Sequence, residues 1–259
     1  MEDLLSRVGK RVYAKRRVVR VYTEFSQLLP AERVILNEVL PEIKGKRLLD
    51  IGVGAGRTTG PLLEISRDYS AIDITPEMAA RTRKRFGLES IWCCDARDMS
   101  RFADASFDFG LFAFNGIDNA HYKERPRVLN EVARVLRTGG IFMFSSHNRD
   151  LRDLGKLPWQ RANAKLTPGL LKEALKALVS LPRHTRLKRH EVYETDYAIV
   201  NDNAHSYSLL LCYVTIAAQT RDLLRAGFSK VRAYDMAGKL ITADDTSPWI
   251  YYVARRQPG

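Results

Sequence analysis

Cysteine is scarce: the 259 residues hold three, Cys93, Cys94 and Cys212, with no C-x-x-C pair. An odd set with two adjacent members makes no disulfide framework, because neighbouring cysteines rarely bond to each other. A reduced, cytoplasmic protein with structural thiols is expected. The five histidines (121, 147, 184, 190 and 205) fall at no metal-ligand spacing, so no metal site is expected. No apolar run approaches the ~20 residues of a membrane-crossing helix. The chain opens with acids and then bases, without the apolar core of a signal peptide, so no membrane partner is expected. Acid is also short, 30 Asp and Glu against 42 Lys and Arg, which gives a net charge of +12.

That surplus is unevenly placed. Residues 1–20 hold seven bases and two acids, and residues 149–190 hold eleven bases and three acids, so the rest of the chain sums to −1. Two readings stand: solvated helix faces, or a rim that attracts an anionic partner, either a phosphate- or carboxylate-bearing small molecule or a nucleic acid. An apolar content of 45% with no low-complexity tract describes a globular chain with a real core.

What the sequence does contain is centred on Leu48-Leu49-Asp50-Ile51-Gly52-Val53-Gly54-Ala55-Gly56-Arg57-Thr58-Thr59. A short apolar run ends in a glycine loop that opens a helix. Such a loop lets the backbone turn sharply and offers N–H groups to a polar ligand at a helix N-terminus. The spacing is G-x-G-x-G rather than the dinucleotide G-x-G-x-x-G, with Arg57 where the last glycine of that pattern would stand. Further strands end in acids or amides: Tyr69–Ile72 before Asp73, Ser90–Cys94 before Asp95, and Phe107–Phe114 before Asn115. A fifth, Ile141–Ser145, follows the turn Arg137–Gly140. Open parallel sheets bind ligands at this C-terminal edge. The helices between them, at 57–66, from Thr75-Pro76 and at 123–136, give the strand–helix alternation of a parallel sheet covered on both faces.

The motifs LLDIGVGAGRTT, AIDITPEM, CDARDM, SFDFGLFAFNGID and EVARVLRTGGIFMF, in this order, resemble the class I S-adenosylmethionine-dependent methyltransferases. The likeness is close over residues 46–147 and looser over the last forty, and FNGID and FSSHN resemble a bacterial small-molecule subgroup. It implies a Rossmann-like α/β fold with a seven-stranded sheet whose last strand is antiparallel, and S-adenosyl-L-methionine as cofactor. It implies that backbone around Gly52, Gly54 and Gly56 approaches the methionine portion. Asp73, with Ile74 beside it, would take the ribose hydroxyls, and Asp95 with Ala96 the adenine edge. Asp50 would support the loop from behind, and Asn115 would lie beside the reactive methyl group.

Outside that core, residues 1–45 read as a helical cover. Val8, Val12, Tyr13, Val19, Tyr22 and Phe25 recur at helical spacing, and a second helix runs from Pro30 to a stop at Pro41. Residues 148–205 read as an inserted lid. Its helix starts at Thr167-Pro168, carries Leu170, Leu171, Ala174, Leu175 and Leu178 on one stripe, and stops near Pro182. An alternating strand at 193–199 and a returning strand at 206–214 complete it. Residues 206–259 complete the core sheet.

The acceptor is less legible. A hydroxyl acceptor is helped by a base, for which His121, His147 and His205 are candidates, each equally an ordinary packing residue. Asn148, Tyr207 and Tyr22 are candidate substrate contacts. Methyl transfer to O or N of a small molecule is the expected function, with proximity and orientation as the main catalytic terms. RNA methylation is the alternative, although the Asn/Asp-Pro-Pro-aromatic motif and a Pro-Cys nucleophile are both missing. A non-catalytic binding protein is a further alternative, opposed by the intact loop with both Asp73 and Asp95.

Overall fold

The structure, a computed structural model, describes residues 4–161, 167–203 and 205–258. Its helices are α1 (Leu4–Tyr13), α2 (Arg16–Glu24), α3 (Pro30–Ile43), α4 (Thr59–Ile65), α5 (Pro76–Phe86), α6 (Arg125–Val135), α7 (Pro168–Lys188) and α8 (Ile216–Arg225). The strands are β1 (Leu48–Ile51), β2 (Tyr69–Asp73), β3 (Ile91–Cys93), β4 (Phe107–Phe112), β5 (Leu136–His147), β6 (Val192–Tyr193), β7 (Tyr197–Val200), β8 (Leu211–Val214), β9 (Phe228–Tyr234) and β10 (Trp249–Arg256). Seven of them form one sheet in the order β3-β2-β1-β4-β5-β10-β9. The first five run parallel, and β10 lies antiparallel to both β5 and β9. The order reverses between β1 and β4, so the crevice at their C-terminal ends is where such a sheet takes a ligand.

Both faces of this sheet are covered, which explains why β1 is buried at all four positions. On one face Val128, Leu129 and Val132 of α6 and Leu223 of α8 pack on Phe142, Phe144 and Tyr252. On the other, Ile35, Val39 and Ile43 of α3 and Leu62 of α4 pack on Leu48, Phe109 and Met143. A second sheet, β6-β7-β8, is antiparallel. Leu5 and Val12 of α1 pack on Ile199, Val214, Ala198 and Leu211 of that sheet. The N-terminal cover and the inserted segment therefore form one body.

Several elements differ from expectation. Pro41 does not stop α3, which continues to the buried Ile43, and Pro182 lies inside α7. Each proline leaves the carbonyl four residues earlier without its helical donor. Those carbonyls belong to the exposed Asn37 and Leu178, where water can replace the bond. The alternation at 193–199 is two short strands, β6 and β7, joined by the turn at 194–196 rather than one strand. The returning strand begins at Leu211, and the small sheet thus draws on residues both before and after 205. Arg137–Gly140 is a bulge within β5, since Leu136 pairs with Phe107 and Ile141 with Phe109. The apolar stripe of α7 faces outward: Leu171, Leu175 and Leu178 are exposed, and Ala177, Ser180 and His184 are the buried residues.

Candidate active site

The glycine loop leaves β1 with Gly52 at φ +66° and Gly54 at φ +56°. A Cβ on Gly52 would stand 2.7 Å from the Phe112 ring, so both the left-handed backbone and the close approach require glycine there. Gly54 N–H donates to Asp73 Oδ2 (2.8 Å), and Thr82 Oγ1 donates to Gly54 O (2.7 Å), which ties the loop to β2 and α5. Gly56 closes the turn by donating its N–H to the Val53 carbonyl (3.0 Å) and does not line the cleft. Beneath the loop, Asp50 Oδ2 accepts from Thr58 Oγ1 (2.6 Å) and Tyr69 OH (2.9 Å). Burial pushes the Asp50 carboxyl up to about 7, against the two hydroxyl donors that favour its ionised form.

A cleft of about 1140 Å³, partly open to solvent, runs along this edge. Gly52, Gly54, Asp73, Ile74, Asp95 and Ala96 line it. Asp73 Oδ1 accepts from Thr75 N (2.7 Å), and burial raises its carboxyl despite these backbone donors. With the Thr75 side chain as a further donor, the Asp73 carboxylate still keeps acceptor capacity for a ligand hydroxyl. Asp95 departs from the expected arrangement, because Arg97 claims both its oxygens, with Nη2 to Oδ2 at 2.7 Å and Nε to Oδ1 at 3.0 Å. Burial works against the Asp95 carboxylate, yet the Arg97 guanidinium and N–H outweigh it and lower its pKa. Asn119 Oδ1, on the cleft wall, is buried without a partner among the described residues.

Over the loop stand Tyr13, Tyr22, Phe25 and Phe114. Arg57, at the position where the dinucleotide pattern has glycine, lies 5.1 Å from the Phe114 ring centroid and 5.6 Å from that of Phe25. It is held by Glu32 of α3 through Nη1 to Oε2 (2.5 Å) and Nη2 to Oε1 (2.7 Å), a buried pair that fixes α3 to the loop.

The cluster that sequence reasoning missed lies at the ends of β4 and β5. Asp118, fully buried, accepts at Oδ1 from Arg125 Nη1 (2.8 Å) and Ser146 Oγ (2.6 Å). Its Oδ2 accepts from His147 N (2.7 Å) and meets His147 Nδ1 at 2.7 Å. Arg125 also donates to Gln219 Oε1 (2.5 Å) on α8. With Nδ1–H bound to a carboxylate, the His147 lone pair sits on Nε2, which is 3.2 Å from Asn115 Nδ2, and His147 itself does not line the cleft. The ring is flanked by Tyr213 (4.6 Å) and Trp249 (5.6 Å), and Trp249 in turn contacts Phe114 (5.1 Å).

The remaining candidates are scattered. Asn115 has φ +56° and turns off the cleft wall, which its neighbours Phe114 and Gly116 line instead. Its N–H is held by Ser145 Oγ (2.9 Å). His121 accepts from Lys123 N and caps the turn Tyr122–Glu124, so its ring is structural. Asn148 is buried, donating to Asp245 O (2.8 Å) and accepting from Asp150 N (3.0 Å), away from the cleft. Tyr207 packs on His184 and does not line the cleft either. His205 stacks on Tyr22, whose hydroxyl is 3.2 Å from its Nε2, and burial lowers its pKa, leaving it neutral at pH 7.

Residues 49–144 match the family model described as a methyltransferase domain. Residues 49–144 therefore form a methyltransferase domain. An uncharacterised methyltransferase of Mycobacterium tuberculosis is 31% identical over 153 residues, 59% of this chain and 59% of that protein. The fatty-acid O-methyltransferase of Mycolicibacterium smegmatis is 35% identical over 48% of this chain and 44% of that protein. This chain thus spans about three-fifths or less of these relatives. The structure of the 1,6-didemethyltoxoflavin-N1-methyltransferase of Burkholderia thailandensis, with S-adenosylhomocysteine bound, aligns over 98% of this chain and 88% of that one. Its TM-score is 0.57 at 16% identity, a likeness of fold. The cleft fits S-adenosylmethionine, the cofactor that the resemblance of its motifs implies. Asp73 has acceptor capacity left, the backbone at Gly52 and Gly54 has no side chain in the way, and Asn119 Oδ1 has no partner among the described residues.

Proposed function

We propose that the protein methylates a hydroxyl group of a small molecule with an apolar or aromatic body, and that His147 Nε2, which in this structure faces Asn115 Nδ2 rather than the cleft, takes the hydroxyl proton when the acceptor replaces that contact. One observation carries the reading: a buried carboxylate, Asp118, fixes the tautomer of a histidine at the active edge. An amine acceptor needs only to arrive deprotonated and a carboxylate acceptor is already ionised, so neither calls for such a pair. Bound S-adenosylmethionine supplies the activated methyl group, held by Asp73 and the Gly52–Gly54 backbone. The chain's own contribution is orientation and exclusion of water. Tyr13, Tyr22, Phe25 and Phe114 present an aromatic wall to the acceptor. Asp118 is a positioning residue, binding both the ring and the backbone N–H of His147.

Acceptor selection is assigned to residues 148–205 together with α1 and α2. His205 packs against Tyr13 and Tyr22, so the inserted segment and the N-terminal cover meet at the cleft. Of the cations that line the cleft, Arg57 and Arg97 are paired with Glu32 and Asp95, and Lys10 stands beside them.

The test is release of S-adenosylhomocysteine with a panel of phenols, aliphatic alcohols, fatty acids and heteroaromatic amines, on wild type and His147→Gln. Turnover on a hydroxyl acceptor should fall by ~10²–10⁴ in the variant, with S-adenosylmethionine affinity unchanged. Full activity of the variant on that acceptor, or turnover confined to carboxylates or amines, refutes the assignment.

A further inference from the structure

Helix α7 has a buried face of small and polar residues and an exposed aliphatic one. One, with Ala177, Ser180 and His184, is buried in the fold. On the opposite side Leu171 is 64% exposed, Leu175 63%, Leu178 52% and Val179 77%. Their spacing of four, three and one places them on a single stripe ~12 Å long at 1.5 Å per residue. Trp159, also exposed, belongs to the short turn Pro158–Gln160 that packs against α7. Isolated surface leucines need no explanation, but a contiguous aliphatic stripe beside an exposed tryptophan marks an interaction surface.

The charge around the stripe identifies the partner. The exposed bases of α7 are Lys172, Lys176, Arg183, Arg186 and Lys188, with Arg189 at its end. Its one acid, Glu173, is paired with Arg161 (2.9 Å). The basic N-terminal segment joins the same side. Lys176 Nζ donates to Asn203 O, and His205, two residues on, packs against Tyr13 and Tyr22. From there α2 exposes Arg16, Arg17 and Arg20, together with Val21 and Phe25. Aliphatic and aromatic side chains amid bases, almost without acids, are the composition of a helix lying in a bilayer interface. A helix seam between two copies would set acids against those bases, and a nucleic-acid face would not expose four aliphatic residues in line.

We propose that the outer stripe of α7, with Trp159 and the basic face of α2, docks on an anionic phospholipid surface. The aliphatic side chains enter the boundary between headgroups and acyl chains, and the bases meet lipid phosphates. This requires no spanning segment, and among the described residues no helix is long and apolar enough to cross a membrane. The lack of apolar runs that spoke against a membrane partner bears on spanning alone. The proposal is independent of which atom is methylated.

Flotation of the full chain with phosphatidylcholine vesicles, with and without about a third phosphatidylglycerol, tests it. Binding is expected to the anionic vesicles, with enhancement of fluorescence that is lost in Trp159→Phe. Lys172→Gln with Arg186→Gln should weaken binding by ~25-fold, about fivefold for each base. Leu175→Ser with Val179→Ser should abolish the fluorescence change while leaving S-adenosylmethionine binding intact, which shows that the variant is folded. No binding to anionic vesicles overturns the proposal. So does binding that the Leu175/Val179 variant retains, which is plain attraction to polyanions. Equal or tighter binding to tRNA or to an acidic protein assigns the face to that partner instead. A dimer in sedimentation velocity that the same variant dissolves assigns it to a second copy.

Discussion

Replacing Asp50 by Asn should make the stability difference between variant and wild type depend on pH with a defined sign. Asp50 is 1% exposed, and burial raises its carboxyl to about 7 in the folded protein, against ~3.9 in an unfolded chain. Below pH ~4 both states are protonated, and the stability tied to this group is fully present. Between about 4 and 7 the unfolded chain ionises while the folded one holds its proton, so stability falls by ~1.4 kcal/mol per pH unit. The loss reaches ~4 kcal/mol near pH 7 and is constant above it. An amide keeps an oxygen for Thr58 Oγ1 and Tyr69 OH, both of which donate to one carboxylate oxygen, and it does not ionise. Urea unfolding of both proteins from pH 4.5 to 8.5 isolates the group, because every other titration cancels in the difference. The variant should gain on wild type as pH rises, by ~3 kcal/mol across the range, and plateau above pH 7. A flat difference would refute the reasoning. A variant that loses ground with rising pH would show that Thr58 and Tyr69 stabilise an ionised Asp50.

Two further substitutions probe the cofactor edge and its support. Asp73→Ala should weaken S-adenosylmethionine by about 1.5–3 kcal/mol, the range for hydrogen bonds to a charged group, and calorimetry showing undiminished affinity would remove Asp73 from the site. Glu32→Gln strands the Arg57 guanidinium, 8% exposed, without its counter-charge. It should cost about 3–5 kcal/mol in denaturant unfolding, and a loss under 1 kcal/mol would mean that Phe25, Phe114 and water hold Arg57 well enough alone.

The order of the main sheet was legible because each strand announces itself locally. LLDI, YSAID and FDFGLF are short apolar runs, and the residues at their ends are polar for a reason the sheet edge supplies. Prolines 41 and 182 misled because a proline's cost depends on whether the freed carbonyl faces water, which composition does not reveal. The leucines of α7 did show a helical period. A period reports that a helix has an apolar stripe, not which way the stripe faces, and here a second face of small residues does the packing. The Asp118 cluster was illegible for a different reason. Its members come from the turn after β4, from α6, from β5 and from α8, and no spacing in the chain links positions 118, 125, 146 and 219.

That cluster also explains why the active edge can afford a buried guanidinium. Arg125 is 1% exposed, and an ion pair at that depth gives little net stability once desolvation is counted. Its value lies in geometry. Arg125 and Ser146 together occupy one oxygen of Asp118, so the other oxygen has a single orientation left in which to receive the ring and backbone N–H of His147. Arg125 stands at the start of α6 and reaches Gln219 of α8, so the helices on one face of the sheet fix the carboxylate that aims the histidine. Catalysis that relies on placement rather than on an acid–base pair of unusual strength needs a rigid edge of this kind. The body that covers the cleft is built otherwise. It meets the core through dispersed contacts: Asp196 pairs with Arg221 of α8 (2.7 Å), Ser6 donates to the Asn119 carbonyl (3.2 Å), Tyr197 stacks on Tyr122 and Tyr22 packs on Phe114, so no single group sets its position as Asp118 sets the ring of His147.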